Sequence, residues 1–318
     1  MIRVDGALHI LKPGLLTTVQ DLGRLGHQAS GVPVAGPMDS FSHRLANQLV
    51  GNEPMAATLE ITLIGPEIEF ESETTLAISG ADFDVACDGQ PVSIGESFHL
   101  RAGQRLKFGR CRLGARAYLA VAGGVQTPLQ LGSRATHVVS RMGGHEGRAL
   151  RAGDRLPMTS TRTSGPKRRG AGLTLPTGGR ARVRIMPGPQ TDWFASAVQR
   201  QIADVSFRLS PRSNRMGYRL EGPPLQRSRD DELISEPVGI GSIQVPNAGE
   251  PILLMADRQT AGGYPKIGHV ISADLPVAGQ LAPGDSIQFE WCTRQEAIAA
   301  LIARERHLLR VASERSLL

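Results

Sequence analysis

TLEITLIG (58–65), PEIEFES (66–72), TLAISGA (75–81), FDVACDG (83–89), ESFHLRAG (96–103), QRLKFG (104–109) and ARAYLAVAGG (115–124) follow one another almost without interruption. Each is a short run, β-branched in part, separated from the next by glycine or Asp-Gly signals. A strand turns successive side chains to opposite faces, so short alternating runs read as half-buried strands. Turn signals every 8–12 residues or so then read as a barrel or sandwich. RAGQRLKFG (101–109) and RAGDRLPM (151–158) repeat one turn-plus-strand design.

The pattern extends in both directions. ALHILKPGLLTTVQ (7–20) gives two strands broken at Pro13-Gly14, and DLGRLGHQASGVPVAGPMD (21–39), with four glycines and two prolines, is expected to be a long ordered loop. DSFSHRLANQLVGN (39–52) predicts a helix with Phe41, Leu45 and Leu49 on one face, Asp39 as N-cap and Gly51 as its stop. Residues 159–182, rich in Ser, Thr, Gly, Pro and Arg, read as a linker. Beyond it come strands in VRIMPG, SFRLS, GIGSIQVP, PILLMAD, KIGHVIS and DSIQFEW, and a helix in TDWFASAVQRQIAD (191–204). A last helix, 293–312, places Ile298, Leu301, Ile302, Leu308 and Leu309 on a stripe expected to pack on a barrel or a partner. The fold expected is mainly β (α+β): β-rich subdomains at 1–158 and 183–318, with a few peripheral helices.

Composition agrees. Of 318 residues, 40% are apolar but only 4% aromatic, so the core is aliphatic; 37 Gly and 21 Pro are spread over the whole chain, as turns between strands require. The net charge of +6 comes from arginine, with lysine only at 12, 107, 167 and 266. No zinc finger, RNA-binding signature or aromatic-interleaved basic run accompanies it, so no nucleic-acid partner is expected. Cys87, Cys111 and Cys292 are odd in number and far apart, which suits a reducing compartment. The N-terminus lacks a signal-peptide core and no run approaches membrane-spanning length, so a cytoplasmic location without membrane association is expected.

The familiar catalytic signatures (Walker A, GxGxxG after a strand, HExxH, GxSxG, paired-cysteine metal sites) are missing, and the histidines at 9, 27, 43, 99, 137, 145, 269 and 307 keep no metal-ligand spacing. Four polar loops carry the chemistry instead: 17–39 with Gln20, Asp21 and Arg24; LSPRSNRMGYRLEG (209–222) with Arg215; LISEPVGIGSIQVP (233–246) with Ser235 and Glu236; and MADRQTAGGYPKIG (255–268) with Asp257, Arg258, Gln259 and Thr260. Glycine lets backbone approach a ligand, arginine takes a carboxylate or phosphate bidentately, and an aspartate beside it can orient an amide or accept its proton. Together these suit a small, planar, polar ligand. The same residues also suit well-bonded turns that only hold loops, and the residues alone do not choose between the two.

TTVQDLGRLGHQASGVPVAGPMD, LANQLVGN, ATLEITLIGP, YLAVAGGV, LGSRAT, SNRMGYRLEG, LISEPVGIGSIQVP and MADRQTAGGYPKIGHVISADL occur in that order between about residue 12 and residue 290. In these blocks the chain resembles the allophanate hydrolase subunit 2 family, also called the biotin-dependent carboxyltransferase-like family. The resemblance implies a cyclophilin-like barrel and a partner of the subunit 1 (B-like) kind. It also implies a site at which the aspartate of DRQT, Asp257, acts, with Arg258 and Gln259 beside it. Chains of this length resemble the branch that opens 5-oxoproline to glutamate in an ATP-dependent 5-oxoprolinase complex with a separate lactam-hydrolase A-subunit. The family implies two alternatives: carboxyl transfer to urea or a related amide, or a non-catalytic regulatory partner of a subunit 1 homologue. No biotinyl-lysine or nucleotide motif occurs, so ATP belongs to the complex and any biotin to another protein.

Overall fold

The structure, a computed structural model, describes residues 6–159, 169–229 and 231–313. The chain divides into two units, one drawn from Met1–Arg24, Ala35–Leu175 and Arg306–Leu318, the other from Leu25–Val34 and Pro176–Glu305. Of the stretch 159–182, residues 160–168 lie outside the described residues.

The first unit contains β1 (Gly6–Lys12), β2 (Leu16–Gln20), α1 (Ser40–Val50), β3 (Thr58–Thr62), β4 (Glu67–Phe70), β5 (Thr74–Cys87), β6 (Gln90–Pro91), β7 (Ser97–Leu100), β8 (Arg105–Val121) and β9 (Arg155–Met158). They form one nine-stranded sheet in the order β2-β3-β8-β4-β1-β9, with β5 on β8 and β6 and β7 on β5. Its core is aliphatic, with Leu8, Ile10, Ile61, Ile68, Leu76, Leu106 and Leu119 fully buried. TLAISGA and FDVACDG, which read as two strands, are the single strand β5. Gly80, at φ +103°, sits at a register shift against β8 and bends the ladder as a bulge does, without ending it. QRLKFG and ARAYLAVAGG likewise join as β8.

Helix α1 has the ends that its sequence predicts. Asp39 Oδ1 accepts the Ser42 amide at 2.9 Å, and Gly51 ends the helix at φ +82°. Phe41, Leu45 and Leu49 are buried. Asp39→Ala is expected to lower stability by about 1–2 kcal/mol, read as a shift of the denaturant midpoint.

The second unit contains β10 (Arg180–Pro187), α2 (Ser196–Asp204), β11 (Ser206–Leu209), β12 (Gly217–Glu221), β13 (Glu236–Pro237), β14 (Ser242–Gln244), β15 (Ile252–Leu254), β16 (Ala261–Gly262), β17 (Lys266–Val270), α3 (Leu275–Gly279), β18 (Ser286–Trp291) and the part of α4 (Arg294–Ser313) before Arg306, where the first unit resumes. Seven strands close a barrel, β10-β17-β14-β15-β12-β11-β18, sealed by the parallel pairing of β10 with β18. Alternation sends Val183, Ile185, Phe207, Tyr218, Leu220, Ile243, Leu253, Ile287 and Phe289 into its core. β13 and β16 form a separate two-stranded ribbon.

One expectation changes here. The helix expected from Thr191 begins only at Ser196, because Thr191–Trp193 forms a 3-10 turn in which the Thr191 hydroxyl donates to the carbonyls of Gly188 and Ile267. On α4, only Leu308 of the apolar stripe is buried, while Ile298, Leu301, Ile302 and Leu309 are 39–63% exposed. Among the described residues no helix is long and apolar enough to cross a membrane.

Candidate functional site

The loop after β15 is organised by one ion pair. Arg215 Nε and Nη2 donate to the two carboxylate oxygens of Asp257, each at 2.9 Å, and both residues are buried. Two backbone bonds lie beside it, Asp257 N to the Arg215 carbonyl at 2.8 Å and Met255 N to the Met216 carbonyl at 3.0 Å. The planar guanidinium fork matches a carboxylate, so both charges are satisfied where water cannot reach. Asp257 is thereby a fixed anion whose two oxygens are engaged. That geometry favours positioning of the 255–262 turn over proton abstraction.

The turn lies against the outer face of the barrel. Strand pairing sets Arg219 opposite Ile252, Ile252 opposite Gln244 and Gln244 opposite Lys266, a single outward row across β12, β15, β14 and β17. Outward residues of a small barrel are ordinarily wet. Gln244 and Lys266 are buried instead. A cleft of about 220 Å³ opens here, lined among others by Arg212, Arg219, Gln244, Ile252, Gln259 and Tyr264. Polar arms on apolar walls are the usual make-up of a small-molecule site, and this volume is below the roughly 300–1,000 Å³ typical of drug-sized ligands.

The polar groups around the cleft are unequally engaged. Lys266 Nζ donates to Glu236 Oε1, which also accepts from Gln190 Nε2 at 2.7 Å. Lys266 chiefly, and Gln190 with it, hold the Glu236 carboxyl below its ordinary range. Arg258 is buried with Nε on the Val238 carbonyl at 3.2 Å, and burial lowers its pKa. His269 is pushed down by burial and faces the Ser242 hydroxyl at 3.1 Å. The Thr260 carbonyl accepts the Val238 amide, and Ser235 is exposed beside Gly263. Gln244 Nε2, by contrast, is buried with no hydrogen-bond partner among the described residues.

Gln20, Asp21 and Arg24 belong to the first unit, and the structure gathers them on the segment 130–136. Gln20 Nε2 donates to the Thr136 carbonyl, Arg24 Nε and Nη2 to the carbonyls of Gln130 and Ala135, and Asp21 accepts from the Ser133 hydroxyl and the Arg134 amide. All three are buried, and burial lowers the Arg24 pKa against the pull of Asp21. These contacts fasten a loop in which Leu131, Gly132, Arg141, Gly143, Gly144, Glu146 and Gly147 all have positive φ.

Sequence reasoning singled out Asp257, Arg215, Gln259 and Glu236 but missed Gln190, Arg212, Arg219, Gln244 and Lys266. A signal for Gln244 exists: it alternates with Ile243 on a strand, so its side chain faces away from the core, toward whatever covers the barrel.

Residues 30–291 match the family described as the carboxyltransferase domain, subdomain A and B, and the chain belongs to that family. It is 41% identical to the 5-oxoprolinase C-subunit of Escherichia coli (strain K12) over 305 residues, 96% of this chain and 97% of the relative. It is 34% identical to the urea amidolyase of Lachancea kluyveri over 89% of this chain, but that match spans only 17% of the larger protein. The crystal structure of the K. lactis urea amidolyase superposes on 98% of this chain with a TM-score of 0.89 at 31% identity, and the chain spans a fifth of it. The carboxyltransferase part of the resemblance and the mainly β architecture with a barrel are therefore met.

Proposed function

We propose that this chain is a subunit of a cytoplasmic, ATP-dependent 5-oxoprolinase complex that opens the lactam of 5-oxoproline to glutamate. The observation that carries this reading is end-to-end similarity to a 5-oxoprolinase C-subunit, 97% of that relative being covered. In the reaction water adds its oxygen to the lactam carbonyl carbon, the ring C–N bond breaks and the nitrogen leaves as the amine. ATP acts at the level of the complex, and no step on this chain is routed through it. This chain's part is to bind and orient: the Arg215–Asp257 pair fixes the turn that carries Gln259 to the cleft. The partners of this reading are a subunit 1 (B-like) homologue and a lactam-hydrolase A-subunit.

The test is turnover by the co-expressed complex given 5-oxoproline and ATP, following glutamate and ADP. Glutamate formation that stops when this chain is omitted is the expected result; an assembled complex that forms none sinks the reading. Carboxyl transfer is the second reading, favoured by the TM-score of 0.89 to the urea amidolyase. It requires carboxybiotin delivered on another protein and a carboxylated urea as product. Tight association with a subunit 1 homologue and turnover of neither substrate would point to a regulatory partner.

A further inference from the structure

The cleft on the outer face of the barrel has two chemically different ends. At one end stand Arg212 and Arg219, exposed, and among the described residues neither guanidinium is in an ion pair. At the other end the primary amides of Gln244 and Gln259 meet: a Cβ built at Gly262 would come within 2.4 Å of Gln259 Nε2 and 2.7 Å of Gln244 Nε2. Ile252, and Leu254 beyond it, form the apolar floor between them. Arg219 and Gln244 lie two strands apart in one row, roughly 10 Å between their Cα atoms at the usual strand spacing.

A buried amide N–H without a partner costs stability, of order 1–3 kcal/mol, and Gln244 Nε2 is such a group. Because this one lines a cleft, a ligand there can supply the missing acceptor. A five-membered lactam suits this end because its ring forces the amide cis, so that C=O and N–H project from one edge, side by side. One carboxamide can then donate to the carbonyl oxygen while its neighbour accepts the N–H.

Resting on the function proposed above, we propose that this cleft is the 5-oxoproline subsite. Gln244 Nε2 donates to the lactam oxygen, the Gln259 amide turns so that its Oε1 accepts the lactam N–H, and Arg219 with Arg212 takes the substrate carboxylate. Gly262 is the residue whose missing side chain lets the two amide ends lie against its backbone, where they meet the lactam edge. The row therefore reads both ends of the substrate, and Lys266, with its charge on Glu236, does not compete for the carboxylate.

The test is isothermal titration of the assembled complex, without ATP, with 5-oxoproline and with 2-pyrrolidinone, the same lactam lacking the carboxylate. Gln244→Leu is expected to weaken 5-oxoproline binding about tenfold or more, with the melting temperature unchanged or raised, since it removes an unpaired polar group. Arg219→Met is expected to weaken 5-oxoproline by a similar factor and leave 2-pyrrolidinone unchanged. Gly262→Ala is expected to abolish both, with the fold kept, because its Cβ displaces only the far ends of two flexible side chains. Unchanged dissociation constants in the three variants, or no binding of 5-oxoproline by the wild-type complex, would overturn the inference. Turnover separates the two readings: glutamate formed with an unaltered KM in Gln244→Leu removes the subsite and keeps the function. Binding through these residues with no glutamate formed does the reverse.

Discussion

Arg215→Met is expected to lower stability by about 3–5 kcal/mol, because it leaves the Asp257 carboxylate buried with its guanidinium partner gone. Asp257→Asn is expected to fall in the same direction, now stranding the guanidinium. Both side chains are below 10% exposed, so water cannot replace the missing partner. The variant Arg215→Met/Asp257→Leu is expected to recover most of the loss, since removing both charges also removes the desolvation cost of each. Trp193 and Trp291, the two tryptophans of the chain, both belong to the second unit, so their fluorescence in a denaturant titration reports on the unit that holds the pair. A double variant as unstable as the sum of the singles would show that the pair is not coupled and that the turn is held by its backbone bonds alone. Turnover of the same three variants then bears on function. If Asp257 acts only by holding the turn, activity should follow its anchoring; a proton acceptor would be lost in Asp257→Asn even where the turn stays in place.

Much of the architecture was legible because each strand has one face on an aliphatic core. The caps of α1 were legible too: an aspartate before an amphipathic run and a glycine after it have few other uses. The errors arose where one residue type serves two ends. Gly80 was read as a break between strands, yet in β5 it only bends the ladder, because partner β8 continues past it.

The site was legible in part for a related reason. Asp257, Arg215 and Gln259 stand in dense polar clusters that interrupt a glycine-rich turn, so they attract notice in a linear reading. Gln244, Lys266 and Arg219 do not, each being a single polar residue at an outward position of a strand. What distinguishes them is the alignment of β12, β15, β14 and β17, and that register is a property of pairing between segments up to about fifty residues apart. Gln20, Asp21 and Arg24 show the opposite case. Their loop looks built for a ligand, while their side chains are engaged with the backbone of residues 130–136.

His43 gives the chain a definite acid sensitivity. The ring is buried on α1, and burial is the leading cause that lowers its pKa from 6.5 to about 4, against smaller raising effects from the Pro54 carbonyl, Asp21 and Glu60. Nε2 lies 3.1 Å from the Pro54 carbonyl and 3.3 Å from the Asn47 amide nitrogen, and Nδ1 lies 2.9 Å from the Thr58 hydroxyl, so the neutral ring has a partner at each nitrogen. The folded protein thus holds the neutral ring, while the unfolded chain takes up a proton below about pH 6.5. Between the two pKa values the unfolded state binds more protons, so the stability due to this residue is complete above pH 6.5 or so and is lost as the pH falls toward 4. From pH 7 to pH 5 the loss amounts to about 2 kcal/mol. Comparing wild type with His43→Gln isolates it from the other titrating groups, because their contributions are common to both. The wild-type curve is expected to fall more steeply by that amount. Parallel curves would mean that the ring takes a proton inside the folded protein as readily as outside it. The Pro54 and Thr58 contacts would then not define the neutral form, and the joint of α1 with β3 would rest on packing alone.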